Sequence, residues 1–493
     1  MDKLNTLKQK ALAGEASAQL DLGLALVTSE GGWNYPEAAK WFALAADQNL
    51  PEAQYNLGVC LSRGLGTAVN PERAAELYEL AARQDYLPAV HNLGLCYLDG
   101  LGRSQDLAQA VFWLKRGALS GDADSQLLLA GLCFQGRGMP VNAPQGVEWL
   151  TRAAEQGLLQ AQLALGTVWD LGREVSQDPA RAFYWFQKAA QAGSPEAMVN
   201  IAFAFHWGRG VAQDRRQALG WWQKAAQAGL PQAQNALGSV YGLGLGTEPD
   251  PEKAAFWFEK AALAGHPGAM FNLAVCLETG RGTKQDLTQA LIWYHKAAAG
   301  GEVRAQAVIG HCLARGRGME ADQGKAIYWY EQAARQGYLQ AQFSLGVHLA
   351  LGLGAGPDSV RAVYWFRKAA QGGLPEAQYA LGYCYKVGQG VARDLAQALE
   401  WFSRSALTGY PEAQLEMGYC YEEGLGIPRD RRKAVFWYEK AAESGSPEAQ
   451  VLAAVNYRAG LAVPRNLEAA RKWLKKAADA GLERARAILS ELG

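Results

Sequence analysis

A short motif opening on alanine recurs at an almost constant spacing along this chain. Its first residue stands at Ala18, Ala53, Ala89, Ser125, Ala161, Ala197, Ala233, Ala269, Ala305, Ala341, Ala377, Ala413 and Ala449, and a partial copy begins at Ala485. The first interval is 35 residues and each later one is 36. Self-similarity at such a period predicts a solenoid, whose units bury their apolar faces only on their neighbours. Length alone would suggest about three globular domains. The register overrides that prior and predicts one continuous array over residues 15–481, with capping helices at 1–14 and 482–493.

Each copy reads as a helical hairpin. In repeat twelve, Ala413, Met417 and Tyr421 recur at helical spacing on one face. Pro411 and Glu412 suit the first turn, where a missing N–H is harmless and negative charge meets the helix dipole. Gly424 and Gly426 end that helix, and Asp430 caps a second one. The cap is Asp or Asn in all thirteen copies, from Asn34 and Asn70 to Asp430 and Asn466. Seven residues after it stands Trp in twelve of the thirteen, with Leu77 the exception. The second helix closes on an Ala-rich turn and then a glycine such as Gly193 or Gly445, which accepts a left-handed conformation without strain. Asn49 and Asp85 take that place in the two least regular joints. Large residues (Trp, Leu, Tyr) are expected between the helices, and small ones such as Gly58 where backbones approach. Lys3, Lys8, Lys10, Glu483, Arg484 and Arg486 would keep the two ends wet. The expected fold is therefore all-α, a right-handed superhelical solenoid of about thirteen helix-turn-helix units.

The pattern A-Q-x-x-L-G-x-x-Y-x-x-G-x-G, then D-x-x-x-A-x-x-W-x-x-K-A-A-x-x-G, resembles the Sel1-like repeat family, relatives of tetratricopeptide repeats. One copy matches it at Ala377, Gln378, Leu381, Gly382, Tyr385, Gly388, Gly390, Asp394, Ala398 and Trp401, with Arg404 in place of the lysine. The resemblance covers residues 15–481. It implies adaptors and scaffolds, in bacterial signalling, host interaction and envelope processes or, in eukaryotes, in membrane-protein degradation complexes. Some relatives are secreted and carry a disulfide in every repeat. This chain departs from them: its seven cysteines fall at most one per repeat, and six share one column. Adjacent copies of a column should lie about 9 Å apart, beyond the ~7 Å limit of a disulfide. Seven free thiols and a reducing compartment are the expectation.

Composition narrows the function classes. The formal net charge is zero, so there is no basic field for nucleic acid. No apolar run approaches the ~18 residues of a membrane span, and the polar start lacks a signal-peptide core, so a cytoplasmic chain is expected, with a leader removed earlier left open. His348 shares the cysteine column, but ligands one repeat apart do not reach one ion at bond lengths of ~2.0–2.3 Å, so no metal is expected. The glycine strings follow helices rather than strands and read as hairpin loops. No cofactor motif and no nucleophile with a matching base emerge, and a non-catalytic chain is expected.

A basic residue stands three places after Trp in ten repeats, as at Lys224, Lys296 and Arg404. It reads first as a cation favourable to the helix C-terminus, and second as a stripe for an acidic partner. Specificity is expected on the first helices, taken as the concave side. Asn56, Asn92, Asn200 and Asn272 stand three places after the opening alanine and carry both donor and acceptor for a peptide backbone; a plain solvated polar residue is the equal alternative. Phe203, His311, Tyr383 and Tyr419 stand six places after it. Trp169, His206 and Trp207 are further departures, with Trp169 also readable as core. Repeats five to seven are the expected anchoring patch for a protein or peptide, because exposed aromatics are typical interface anchors. The leading function is a protein-binding scaffold or adaptor. The alternatives are a dedicated binder or inhibitor of one protein, such as a toxin or effector, and a hydrolase of peptide or cell-wall substrates.

Overall fold

The computed structural model describes residues 2–28, 34–173 and 175–492. Trp33, in the shortened first interval, and the side chain of Lys3 lie outside the described residues. Among the described residues 28 helices follow one another, with no strand. Between an 11-residue first helix and an 8-residue last one, every helix has 13 residues. Contacts divide the chain into two compact units, Met1–Pro249 and Asp250–Gly493. Within each, a helix packs on those just before and after it in the chain.

Local chemistry sets the helix ends. Each of the thirteen Asp or Asn caps accepts a backbone N–H from the first turn of its second helix. Asp214, for example, takes those of Arg216 and Gln217 at 2.9 and 3.0 Å. Such a cap contributes ~1 kcal/mol. At the joints, Asn49 and Asp85 adopt the left-handed conformation that glycine supplies elsewhere, with φ of 65° and 63°.

The centre of each hairpin lies one residue beyond the Trp column. Trp293, Trp365 and Trp437 are only half-buried, whereas their successors Tyr294, Phe366 and Tyr438 are buried. These successors fill a hole left by a small residue on the first helix. A Cβ placed on Gly418 would stand 2.3 Å from the Tyr438 ring, and one on Gly166 would stand 2.6 Å from Phe186. Alanine takes the glycine position in four repeats: the facing residue is the smaller Leu150 or Leu474 at Ala130 and Ala454, but an aromatic, Trp222 or Tyr294, at Ala202 and Ala274.

The glutamine that follows the opening residue joins one repeat to the previous one. It is present in ten of the thirteen copies, with Val90, Met198 and Met270 in the others. It is buried, and in most copies its Nε2 donates to a carbonyl at the end of the preceding helix, as from Gln162 to Ala154 O at 3.1 Å, whereas Gln54 donates to Asn49 Oδ1. The Ala154 carbonyl lies in the last turn, where no i+4 helical N–H reaches it, and it also accepts the Gly157 N–H at 3.1 Å. In four joints a second glutamine, 30 residues on or nearly so, completes the pair: Gln48 on Gln19, Gln84 on Gln54, Gln156 on Gln126 and Gln336 on Gln306, at 2.8–3.0 Å. At Gln162 that later residue is Ala192, and the buried Oε1 has no partner among the described residues.

Gly418→Ala is expected to cost ~1–3 kcal/mol by overpacking. Tyr438→Leu should cost less in that background than in the wild type, as read from denaturant melts of a double-mutant cycle. Ala192→Gln supplies the missing donor and should add ~0.5–1.5 kcal/mol. Slower hydrogen exchange in repeats five and six would show it.

Candidate functional site

The first helix of repeat six, Pro195–Trp207, is the most aromatic departure from the common pattern. Its Trp207 is 65% exposed and its Phe203 42% exposed. Phe203 stands edge-on to Trp222 at 5.6 Å between centroids, and Trp207 edge-on to His206 at 4.5 Å. Phe203, Trp207 and Asn200 border a cavity of about 170 Å³ whose other walls include Phe183 and Phe186 from the second helix of repeat five. An ion pair closes one side, Arg209 to Asp170 at 3.1 Å. The cavity is smaller than the ~300 Å³ of ordinary small-molecule sites and suits one protruding side chain.

The structure brings together three of the expected site residues, Asn200, Phe203 and Trp207, all from repeat six. Repeat five contributes through Asp170, Phe183 and Phe186, and repeat seven contributes nothing to this cavity. His206 requires a correction. It is only 5% exposed, and its ring packs against Trp222 at 5.5 Å, so it is core rather than contact surface. A rotation of ~100° per residue turns it inward while Trp207 points out. Trp169 is half-buried under the Arg181 guanidinium, 4.7 Å from the ring centroid, and does not line the cavity. Trp222 is the residue that sequence reasoning missed. The signal was present: repeat six alone doubles its tryptophan, Trp221–Trp222.

The other asparagines of the column are engaged locally. Asn56 donates to Glu52 O of its own helix at 2.8 Å, and Asn92 bonds the Tyr78 side chain. Asn272 is half-buried and bonded as well. Tyr419 donates its hydroxyl to Glu448 at 2.8 Å, whereas Tyr383 stays exposed. His311 is exposed and belongs to a second cavity, in the Asp250–Gly493 unit.

The basic stripe is also engaged. Arg152, Lys224, Lys296, Arg404 and Lys476 lie over the Trp three residues before them, at 4.3–4.7 Å from a ring centroid. Such stacking adds ~0.5–1 kcal/mol at exposed sites to the favourable dipole position. These cations face their own tryptophans and do not form a free stripe.

The cysteines are unpaired, and all but Cys276 are buried. Burial pushes their thiols up, to about 11 for Cys384 and Cys420, so they are not thiolates at neutral pH. His348 is packed rather than poised for a metal: its Nδ1 lies 2.8 Å from Ser344 O and its ring rests on Tyr330. Among the described residues no group of three His, Cys, Asp or Glu side chains is arranged to hold an ion, and no helix is long and apolar enough to cross a membrane.

One cluster has the composition of a hydrolytic triad. His91 Nδ1 lies 3.2 Å from Ser125 Oγ and 3.4 Å from Asp122 Oδ2. A triad places serine and carboxylate on opposite ring nitrogens, with the serine open to substrate. Here both partners share one nitrogen, and Ser125 is fully buried. Burial raises the Asp122 carboxyl, but bonds from His91 and Ser125 outweigh it and hold the pKa down at about 2. The cluster is a helix cap.

Thirteen consecutive segments, from 16–50 to 447–482, match the Sel1 repeat. The chain belongs to the Sel1 repeat family. Among solved structures it is similar to a protective antigen of uropathogenic Escherichia coli that displays an SLR fold, with 30% identity, a TM-score of 0.60, and coverage of 91% of this chain and 97% of that one. A Sel1 repeat protein from Oxalobacter formigenes is 32% identical over 51% of this chain and all of its own, with a TM-score of 0.45. No curated protein matches the chain. Sel1 and related repeat solenoids generally mediate protein–protein interaction.

Burial, and secondarily Arg215, hold the His206 pKa below its usual 6.5. The folded chain therefore favours the neutral ring, and the stability that this ring allows is present above pH ~6.5 and declines below it. His206→Phe, with Phe134 as the precedent at the equivalent position of repeat four, should gain stability relative to wild type as pH falls from 8 to 5. Parallel melts at the two pH values would show whether the gap widens.

Proposed function

We propose that this chain is a non-catalytic scaffold or adaptor that holds a protein or peptide segment on the face of its first helices, anchored at the Phe203–Trp207 cavity. The observation that carries the reading is Trp207: a large aromatic ring, mostly exposed, at the mouth of a cavity that its neighbours do not fill. Its position imposes no aromatic residue on the fold, because Arg63, Asp99, Gln135 and Glu423 occupy it in other repeats. Asn200 at the same cavity offers a donor and an acceptor to a peptide backbone. The Asp170–Arg209 pair supplies a polar rim around the apolar centre. The buried serine beside His91 supports the non-catalytic part of the reading.

The test is capture from host lysate on the immobilised full chain, with Trp207→Ala/Asn200→Ala beside the wild type. The variant should melt as the wild type does and weaken capture about thirtyfold, the scale of an aromatic hot spot near 2 kcal/mol. Several partners lost together would mark an adaptor, and one dominant partner a dedicated binder. Capture unchanged by the double substitution would remove this cavity from the interaction.

A further inference from the structure

The Asp250–Gly493 unit holds a second cavity built on the same columns as the first, three repeats later in the chain. Asn200, Phe203, Trp207 and Arg209 correspond there to Val308, His311, Arg315 and Arg317. Even the flanking ion pair recurs, Arg317 to Glu278 at 2.9 Å in place of Arg209 to Asp170. The chemistry differs, because the aromatic pair has become an imidazole and a guanidinium. The cavity is also larger, about 560 Å³, within the ~300–1,000 Å³ of ligand-holding clefts. First helices of three successive repeats wall it: Pro267–Thr279, Val303–Arg315 and Leu339–Leu351.

Three guanidinium groups face it, those of Arg304, Arg315 and Arg317, against the single carboxylate of Glu278. Glu278 is already saturated by Arg317 and by the Tyr294 hydroxyl at 2.7 Å. Arg304 is held through its Nε by Glu302 at 2.7 Å and lies over the Phe271 ring at 4.2 Å. Arg315 has no carboxylate partner among the described residues. Burial, and secondarily Arg315 and Arg317, hold the His311 pKa below its usual 6.5, so its ring is neutral at pH 7 and offers an N–H beside the Arg315 guanidinium. The remaining wall is apolar and aromatic, with Phe271, Val308, Tyr330, Tyr338 and Phe343.

We infer that this cavity docks an acidic peptide segment, an Asp or Glu carboxylate against Arg315 and His311 with a neighbouring apolar side chain on the Phe271–Phe343 wall. The assignment rests on charge complementarity and on the mixed lining. It shares with the proposed function only the premise that first helices bind protein, and it stands on residues other than those of the Trp207 cavity. A planar guanidinium suits a carboxylate because it donates two parallel hydrogen bonds.

The experiment is fluorescence anisotropy with the full chain and a fluorescein-labelled decapeptide of alternating Asp and Leu. Its Asn/Leu and Lys/Leu counterparts and a labelled oligothymidylate serve as rivals. The Asp/Leu peptide should bind at least tenfold more tightly than any of these and weaken severalfold between 50 and 300 mM salt. Arg315→Glu should cut its affinity more than tenfold with an unchanged melting temperature, since glutamate already stands at this position in repeat twelve as Glu423. Trp207→Ala should leave it unchanged. Equal binding of the Asn/Leu peptide, tighter binding of the oligonucleotide, or indifference to Arg315→Glu would overturn the inference. Any of these results would leave the capture experiment at Trp207 to stand or fall separately.

Discussion

The rest of the structure depends on the close approach of the two helices in each hairpin, at the small residue five places after the opening alanine. A ring or leucine from the second helix occupies the space that a larger side chain would take, as Tyr438 does against Gly418 and Phe402 against Gly382. Glycine inside a helix costs ~1 kcal/mol in propensity. Burying the facing aromatic returns ~1.5–3 kcal/mol and fixes the distance between the helix axes. Because the same contact recurs, a small change in that distance would accumulate along an array whose units touch only their neighbours.

Around that contact the polar groups are satisfied by short-range devices. Asp or Asn closes the start of each second helix, and in ten of the thirteen copies a buried glutamine packs on the end of the preceding one. The second device is uneven. Gln126 and Gln306 have both ends paired, whereas Gln162, Gln342 and Gln378 keep an unpaired buried oxygen. A buried acceptor without a partner costs ~1–3 kcal/mol unless water reaches it. The joints of one chain thus differ in strength although their backbones look alike, and local opening should follow those differences.

Packing, capping and joint formation use nearly all the repeated positions. What remains free is a handful of columns on the first helices and, on the second helices, the exposed column just before the Trp, as at Phe112, Tyr184 and Tyr364. The two cavities show what this allows: one backbone frame, one flanking ion pair, and either Phe203 with Trp207 or His311 with Arg315 at its centre. Side chains at these columns differ between repeats without altering the hairpin. Membership of the Sel1 repeat family explains the frame, and the chemistry of each site has to be read from its own side chains.

The sequence by itself determined the period, the hairpin, the thirteen caps and the left-handed joints at Asn49 and Asp85, because each follows from the preference of a residue for a local conformation. It also marked repeat six as aberrant. It did not separate His206 from Trp207, adjacent residues of which one is core and the other surface. That depends on which flank of the helix meets its neighbours. The Trp-to-lysine spacing was visible, but the stacking of Lys224 on Trp221 needed the side-chain directions. The meeting of Arg304, Arg315 and Phe343 was decided only by tertiary structure, since it takes the packing of successive hairpins to aim residues from different repeats into one space.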